Sequence, residues 1–413
     1  MKRQLHAKVL GLSILVLAAG AEAQQRQRMT LPDAATHTLT AEGGVAEIPF
    51  KLVNNHLILP VSVNGSEPLD VVLDTGMPAA GLAIYGGPLA ESLALEIDPN
   101  MQAQIGGAGG QGARRTARIA MSESLSLPGL EIDGSRVIVM PKMPALSSYN
   151  DGVIGYSLFS RYVVEIDYDK RLLRLQEPES YRAPAEALAV PLTFDNRIPY
   201  ADVRLVQTGR EPVDARVAVD LGASHAISLN SDYSDRIVLP AKTLSTILGR
   251  GVSGPVHGDV GRLAGLELGG ARLENVVATF PVSEHQNPRG MDSLAGNLGS
   301  DVLRRFNTTF DYPGKRMLLS PNRSFGQPFT FDRSGLRLRP GDKLQVAGII
   351  ADSPAADSGI EIGDLVTHVN GQTVSAANYG DVRNTLMGTG EVRLTIERGD
   401  ETVEKKIRLR RLI

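Results

Sequence analysis

The sequence has 413 residues, which is enough for two or three domains with cores of their own. Its 43 Lys and Arg residues are balanced by 46 Asp and Glu residues, and the net charge of -3 excludes the basic surface of a nucleic-acid-binding protein. No Cys is present, which excludes disulfides, thiolate metal sites and cysteine nucleophiles.

The beginning of the chain has the features of a secretory signal peptide. Three basic residues lie within the first eight positions, residues 9–21 form a mostly apolar run, and Ala21-Glu22-Ala23 is a small-x-small cleavage pattern. We therefore expect a signal peptide over residues 1–23 and a periplasmic or secreted mature protein with no membrane span. A spanning helix needs roughly 20 apolar residues, so a retained membrane anchor is the weaker alternative.

The rest of the chain contains an internal repeat. Three blocks recur in the same order and at a nearly constant offset: residues 69–76 as 214–222, residues 152–162 as 296–306, and residues 164–171 as 309–316. A repeat of this kind indicates two copies of one structural unit. We assign the copies to residues 46–178 and 189–321.

Each copy has the composition of a β-structure. Short runs of Val, Ile and Leu are interrupted by Gly, Asn, Asp or Pro, as in a β-barrel or sandwich. Residues 57–63 followed by Asn64-Gly65 predict a β-hairpin. Short helices are expected over residues 155–162 and 299–306.

An acidic residue ends the same apolar strand in each copy. The motifs are Asp74-Thr75-Gly76 in the first copy and Asp220-Leu221-Gly222 in the second. Each is followed about 80 residues later by a hydrophobic residue, a glycine and a short helix. Residues 46–321 therefore resemble the aspartic peptidases, and in particular the retropepsin-like branch with both lobes in one chain.

The resemblance implies a mainly β fold with two tandem acid-protease β-barrel lobes, in which Asp74 and Asp220 form a catalytic dyad supported by Thr75, Gly76 and Gly222. Two carboxylates placed close together cannot both ionise cheaply, so the pair holds one proton. The ionised member activates a water and the protonated member polarises the peptide carbonyl. Such an endopeptidase acts on polypeptides and needs no metal or cofactor.

The second motif departs from the family pattern. In the family, the hydroxyl that Thr75 carries ties the two catalytic turns together, and Leu221 has none. Met77 and Ala223 cannot donate a side-chain hydrogen bond to the carboxylates, so Ser224 is a candidate to compensate. The alternative hypothesis is a catalytically inactive peptide-binding or scaffold protein of the cell envelope.

Glycine-rich segments follow each Asp after about thirty residues, at 105–112 and 248–254. The resemblance implies that these are hairpin tips closing over substrate, and the plain alternative is a loop without a role. The glycines of the first segment also fit a dinucleotide fingerprint. The following run, 114–127, alternates polar and apolar residues instead of forming a helix, which excludes that site.

Residues 322–331 are predicted to form a linker, and residues 332–413 a third domain. Its matching strings are residues 334–338, 352–356, 363–366 and 369–371. They resemble a PDZ domain of the kind attached to bacterial envelope proteases. The resemblance implies that the loop Gly335, Leu336, Arg337 and Leu338 offers backbone N–H groups to the C-terminus of a peptide, which then adds as a strand. A protein partner could bind there. Arg337 replaces the usual small or apolar residue.

Other catalytic patterns are absent from the sequence. The seven His residues have no metal-ligand spacing, and no Gly-x-Ser-x-Gly motif occurs. We therefore predict no metal, no cofactor and no nucleic-acid partner.

Overall fold

The computed structural model describes residues 35–109, 114–143, 149–230, 233–282 and 294–413. The predicted signal peptide lies outside these residues, as do residues 110–112 of the first glycine-rich segment. Within the described ranges, no helix has the length and apolar character needed to span a membrane.

The first copy forms a β-lobe with two short helices. Its strands are β1 (Thr36–Leu39), β2 (Val45–Pro49), β3 (Lys51–Val53), β4 (His56–Val63), β5 (Leu69–Leu73), β6 (Leu82–Tyr85), β7 (Glu96–Ile105), β8 (Arg115–Met121), β9 (Ser124–Leu127), β10 (Leu130–Asp133), β11 (Arg136–Met140), β12 (Gly152–Ile154), β13 (Val163–Asp167) and β14 (Leu172–Gln176). A 3-10 turn covers Glu42–Gly44, and the helices are α1 (Pro88–Ser92) and α2 (Tyr156–Phe159). The main sheet has the order β1-β10-β9-β4-β5-β12-β6-β11-β8-β7, with β3 on β4.

The second copy forms a matching lobe. Its strands are β15 (Leu188–Pro191), β16 (Thr193–Asp195), β17 (Ile198–Val206), β18 (Val213–Asp220), β19 (Ile227–Leu229), β20 (Leu244–Gly251), β21 (Gly254–Arg262), β22 (Gly265–Leu268), β23 (Ala271–Glu274), β24 (Val277–Pro281), β25 (Gly296–Gly299), β26 (Phe306–Asp311) and β27 (Arg316–Pro321), and its helix is α3 (Ser300–Leu303). The main sheet has the order β20-β21-β24-β19-β25-β18-β17-β22-β23, with β16 on β17.

The repeat seen in the sequence is also a repeat of strand register. In lobe 1, β12 runs parallel to β5 with Gly152 opposite Val71. In lobe 2, β25 runs parallel to β18 with Gly296 opposite Val217. The predicted helices follow these strands in both lobes, but each is shorter than expected. The two lobes are therefore built to one plan.

A third sheet joins the lobes. Its order is β15-β27-β26-β13-β14-β2, so strands of both copies lie side by side. Val164 of β13 lies opposite Phe310 of β26 in an antiparallel pair. Above this junction, Phe159 and Phe310 pack edge to face with ring centroids 5.3 Å apart, and the lobes bury a continuous apolar core. This shared core fixes the position of one lobe relative to the other.

The last domain has a separate core and sheet. Its strands are β28 (Leu336–Arg339), β29 (Leu344–Ile349), β30 (Leu365–Val369), β31 (Gln372–Thr373), β32 (Gly390–Arg398) and β33 (Glu401–Leu409), its helices are α4 (Pro354–Asp357) and α5 (Tyr379–Met387), and a 3-10 turn covers Ala376–Asn378. The order is β28-β29-β30-β32-β33, with β31 on β30. Ser353 caps α4 by accepting the Ala356 N–H (3.3 Å).

The segment predicted as a linker packs against lobe 2. Arg305 is 1% exposed and donates to the Ser324 carbonyl (3.3 Å), and its guanidinium lies 3.5 Å from the centre of the Phe329 ring. Arg262 of β21 donates to the Phe329 carbonyl (3.1 Å). The side chain of Ile413, the last residue, is buried in the core of the lobes. The third domain is thus fastened to lobe 2 at both of its ends.

Candidate active site

The two acidic residues lie at equivalent strand ends. Asp74 directly follows β5, and its N–H donates to the Ile154 carbonyl of β12 (2.9 Å). Asp220 is the last residue of β18 and lies opposite Gly299 of β25. In each lobe a buried apolar strand carries the carboxylate to the interface and then turns.

Gly76 and Gly222 make room for the two carboxylates. A β-carbon at Gly76 would lie 2.8 Å from Asp220 Oδ1 and 2.9 Å from Asp74 Oδ1, so these two oxygens cannot be farther apart than the sum of those distances. A β-carbon at Gly222 would lie 2.3 Å from Asp74 Cγ. The N–H groups of Gly76 and Gly222 donate to Oδ1 of Asp74 (2.6 Å) and Asp220 (2.9 Å), respectively. The structure therefore brings these four predicted residues together.

Thr75 makes one of the two reciprocal sets of hydrogen bonds between the turns that the family resemblance implies. Its hydroxyl is buried, donates to the Val219 carbonyl (2.7 Å) and accepts from the Leu221 N–H (2.9 Å). Leu221 has no hydroxyl with which to return these bonds. Instead, Ser300 donates to the Leu221 carbonyl (2.7 Å) from the start of α3.

Asn297 is a site residue that the sequence reasoning missed. Its Nδ2 donates to Asp220 Oδ2 (2.7 Å). In lobe 1 the same place is taken by Val153, since Val153 pairs with Val72 and Asn297 with Ala218, each two residues before its Asp. The signal available in the sequence was this Val-to-Asn difference between the repeats. The two carboxylates thus have different surroundings.

Two lobe 1 residues reach across to the turn that carries Asp220. Asn55 Nδ2 donates to the Ser224 carbonyl (2.8 Å). His56 Nε2 lies 3.0 Å from the Gly222 carbonyl, and because a carbonyl only accepts, Nε2 carries the hydrogen. His56 Nδ1 then accepts from the Tyr149 hydroxyl (3.2 Å), and the two rings stack.

The electrostatics of His56 follow from its position. It is 7% exposed, and burial lowers its pKa from 6.5 to about 4, although the hydrogen bond to Gly222 and the charge of Asp220 act in the opposite direction. His225, behind the same turn, also has its pKa lowered by burial. Both imidazoles are neutral near pH 7.

Aromatic side chains form the base of the site. The Tyr312 ring packs on Phe159 and Phe194 at 5.2 and 4.7 Å between centroids. Burial raises the pKa of Tyr312 well above its ordinary value, and the charges of Asp74 and Asp220 raise it further. Its hydroxyl has no hydrogen-bond partner among the described residues. The carboxylates therefore lie near a buried cluster of aromatic side chains.

The two predicted hairpins are present and touch each other. The strand pairs β7–β8 and β20–β21 form them. At the tips, the Ser253 N–H donates to the Ala108 carbonyl (3.2 Å) and the Gly107 N–H donates to Ser253 Oγ (3.3 Å). A β-carbon at Gly251 would lie 2.1 Å from Ala108 O. Each lobe thus contributes one hairpin, and the two hairpins join near their tips. We call this pair of touching hairpins the hairpin bridge.

In the third domain, backbone N–H groups of the predicted peptide-binding loop donate hydrogen bonds to neighbouring side chains of the same domain. The N–H of Gly335, at a φ of 83°, donates to Asp332 Oδ1 (2.6 Å), and the N–H of Leu336 donates to Ser334 Oγ (3.0 Å). Burial raises the pKa of Asp332 in this position. The N–H groups of Gly335 and Leu336 therefore have acceptors within the domain.

The other two loop residues lie on β28, the outer strand of the sheet. The Leu338 carbonyl accepts from the Tyr379 hydroxyl of α5 (3.2 Å). Arg337 Nε donates to Thr246 Oγ1 of β20 (3.0 Å), which is part of the lobe 2 hairpin. The loop that the sequence assigns to peptide binding thus contacts a hairpin of the protease-like region.

Metal ligands are not assembled in the described part of the chain, where no cluster of three or more His, Asp or Glu side chains could hold an ion.

Comparison with known proteins agrees with this architecture. The aspartyl protease family model matches residues 59–158 and 203–302, and a PDZ domain model matches residues 345–398. Among solved structures, the HtrA3 PDZ domain bound to a phage-derived ligand (FGRWV) is similar with 18% identity and a TM-score of 0.19, over 20% of this chain and 88% of that chain. Curated proteins give no significant match. The chain is a retropepsin-like aspartyl protease family protein with a C-terminal PDZ domain.

Proposed function

We propose that this protein is an aspartic endopeptidase. The observation that carries the proposal is the meeting of Asp74 and Asp220 at two glycine turns, so close that neither Gly76 nor Gly222 could hold a side chain. Two like charges at such a distance repel, so the pair is expected to hold one proton between its carboxyl groups. A pair of this kind supplies a general base and a general acid in the same place.

The surroundings of the dyad suggest which member takes which role. Asp220 accepts hydrogen bonds from the Gly222 N–H and from Asn297 Nδ2, and donors to a carboxylate favour its ionised form. Asp220 would therefore take the proton from a water that attacks the peptide carbonyl. Asp74 would keep the shared proton and donate it in a hydrogen bond to the carbonyl oxygen as negative charge develops.

The rest of the site suits an extended polypeptide substrate. The hairpins, which touch at their tips, would close over a peptide bound at the dyad, and the aromatic side chains around Tyr312 would exclude water, which would strengthen hydrogen bonds to the developing charge. The PDZ domain would bind the C-terminus or an extended segment of a polypeptide along the open edge of β28. In keeping with the predicted signal peptide, we place this activity in the periplasm or outside the cell.

A second candidate is a non-catalytic peptide-binding protein of the cell envelope. The observation that favours it is Leu221, which is fully buried at the position where the family has a hydroxyl. Such a protein would use the same cleft and the same hairpins to hold a peptide. Cleavage is what distinguishes the two candidates.

The test replaces each carboxylate by the isosteric amide. Asp74→Asn and Asp220→Asn should each lower cleavage of an unfolded protein such as casein by at least about 100-fold, because each removes one partner of the acid–base pair. Asp70→Asn is the matched control, since Asp70 is part of an exposed ion pair with Lys51. Circular dichroism should show that all three variants fold. Cleavage that survives in both dyad variants would refute the proposal, and binding without cleavage by the unmodified protein would favour the second candidate.

A further inference from the structure

Side chains of lobe 1 hold the backbone of the second catalytic turn at several points. Thr75, His56 and Asn55 together contact four backbone groups, which are Val219 O, Leu221 N, Gly222 O and Ser224 O. These groups lie immediately before and after Asp220. Within the lobe arrangement that the shared core fixes, these polar contacts tie the turn that carries Asp220 directly to lobe 1.

The lobe 2 counterparts of these residues have different side chains. In lobe 1, Ile58 pairs with Val72, and in lobe 2, Tyr200 pairs with Ala218, each two residues before its Asp. This register makes Ile198 the counterpart of His56. Ile198 has no side-chain group that can donate or accept a hydrogen bond, whereas the imidazole of His56 bonds Gly222.

The residues just before His56 and Ile198 also differ between the lobes. Asn55 and its counterpart Arg197 both have a φ of 68°. Arg197 donates to the Pro78 carbonyl at 3.4 Å and also lies over the Tyr156 ring at 4.5 Å, whereas Asn55 donates to the equivalent Ser224 carbonyl at 2.8 Å. The two turns have the same backbone shape, and the shorter contact again lies on the Asp220 side.

This difference between the lobes matches the absence of a hydroxyl at Leu221. The Thr75 hydroxyl holds the Asp220 turn, and Leu221 has no hydroxyl with which to hold the Asp74 turn in return. His56 and Asn55 add two more links between the lobes at this place. Because His56 is buried and Tyr149 occupies its second nitrogen, its ring is fixed toward Gly222.

We propose that Asn55 and His56 are positioning residues that hold the Asp220 turn against lobe 1, in place of the hydrogen bonds between the catalytic turns that Leu221 cannot make. The consequence for turnover rests on the proposed peptidase function. The positioning role itself does not rest on that function, because it concerns how well residues 219–224 are ordered in the folded protein.

The experiment is a double-mutant cycle on the full chain. Asn55→Gly removes the amide and keeps a residue that accepts the positive φ, and His56→Ala removes the imidazole. Each is made alone and together with Leu221→Thr, which supplies the missing hydroxyl. Hydrogen–deuterium exchange is then measured for peptides covering residues 219–224. Asn275→Gly is the matched control, since Asn275 has a φ of 56° and lies in the β23–β24 connection, away from the lobe interface.

In the unmodified background, each lobe 1 change should raise exchange over residues 219–224 by about tenfold, and Asn275→Gly should leave it unchanged. With Leu221→Thr present, the increase should fall to about threefold or less, because the restored hydroxyl takes over part of the restraint. An equal increase in both backgrounds, or no increase in either, would overturn the proposal. Leu221→Ser serves as the second variant if the threonine does not fold.

Turnover gives a separate measurement. If the proposed function holds, Asn55→Gly should lower kcat for a peptide substrate while KM stays within about twofold, since the carboxylate and not the binding cleft is disturbed. A protein that cleaves nothing would count against the proposed function, and the exchange result would still decide whether these residues position the turn.

Discussion

At the scale of single residues, the turns that carry Asp74 and Asp220 share a backbone conformation but differ in their side chains. Asp220 has the Asn297 amide on one oxygen, and the equivalent residue beside Asp74 is Val153. Gene duplication followed by divergence gives this outcome, because the backbone is fixed by the sheet and the side chains are free to specialise. An unequal pair of carboxylates is what separate acid and base roles require.

The buried His56 predicts a loss of stability in acid. Its folded pKa of about 4 is below the unfolded value of 6.5, so as the pH falls through this window the unfolded chain binds a proton that the folded chain does not. The free energy of unfolding should fall by about 3 kcal/mol from pH 7 to pH 4 on account of this residue. His225 contributes in the same direction.

Urea unfolding at pH 7, 5.5 and 4.5 measures this effect. His56→Gln cannot be protonated, so its stability should decline less steeply over the same range than that of the unmodified protein. Parallel decline in the two proteins would show that His56 does not carry the effect. A working range near neutral pH is therefore expected for this chain.

At the scale of secondary-structure elements, the sequence is enough to predict the strands and turns that depend on local signals. Asn64-Gly65 gives the β4–β5 hairpin because both residues adopt a positive φ, of 50° and 74°. Helix α5 was not predicted, since only Val382 and Leu386 are buried in a nine-residue helix that also contains Gly380. Its apolar face is too narrow for the periodic pattern that identifies a helix.

The residues of the candidate site also divide into those that the sequence predicted and those that it did not. Asp74 and Asp220 were found because the repeat marks them twice. Asn297 lies 77 positions from the carboxylate that it bonds, and His56 lies 166 positions from Gly222. No local pattern connects residues at such separations, so only the folded chain brings them together.

The hairpin bridge gives a prediction at this scale. Gly251→Ala should separate the tips, because its β-carbon would lie 2.1 Å from the Ala108 carbonyl oxygen. Exchange of the amides at residues 105–109 should rise several-fold, and peptide binding should weaken. Gly249→Ala, on the same hairpin, is the control, since a β-carbon there meets no atom within 4 Å. Equal behaviour of the two variants would contradict a bridge held by close backbone approach.

At the scale of the whole molecule, the PDZ domain is joined to the protease lobes by more than a covalent link. Ile413 enters their core, Arg262 holds Phe329 of the connecting segment, and Arg337 contacts the hairpin of lobe 2. Arg337 also lies in the loop predicted to bind a peptide C-terminus. One side chain therefore connects the region that would recognise a ligand with the region that would cover the dyad.

Arg337→Ala should loosen the lobe 2 hairpin. The hydrogen bond from Arg337 Nε to Thr246 is partly buried, and its loss at about 1 kcal/mol corresponds to an increase of about fivefold in amide exchange along β20. Arg339→Ala is the matched control, because Arg339 lies on the same strand and donates to Gln345 within the PDZ domain. Exchange in β20 that is unchanged by Arg337→Ala, or raised equally by both substitutions, would show that the two domains move independently. An increase confined to Arg337→Ala would show that the hairpin is restrained from the PDZ domain, so that a ligand drawing Arg337 away from Thr246 would also change access to the dyad.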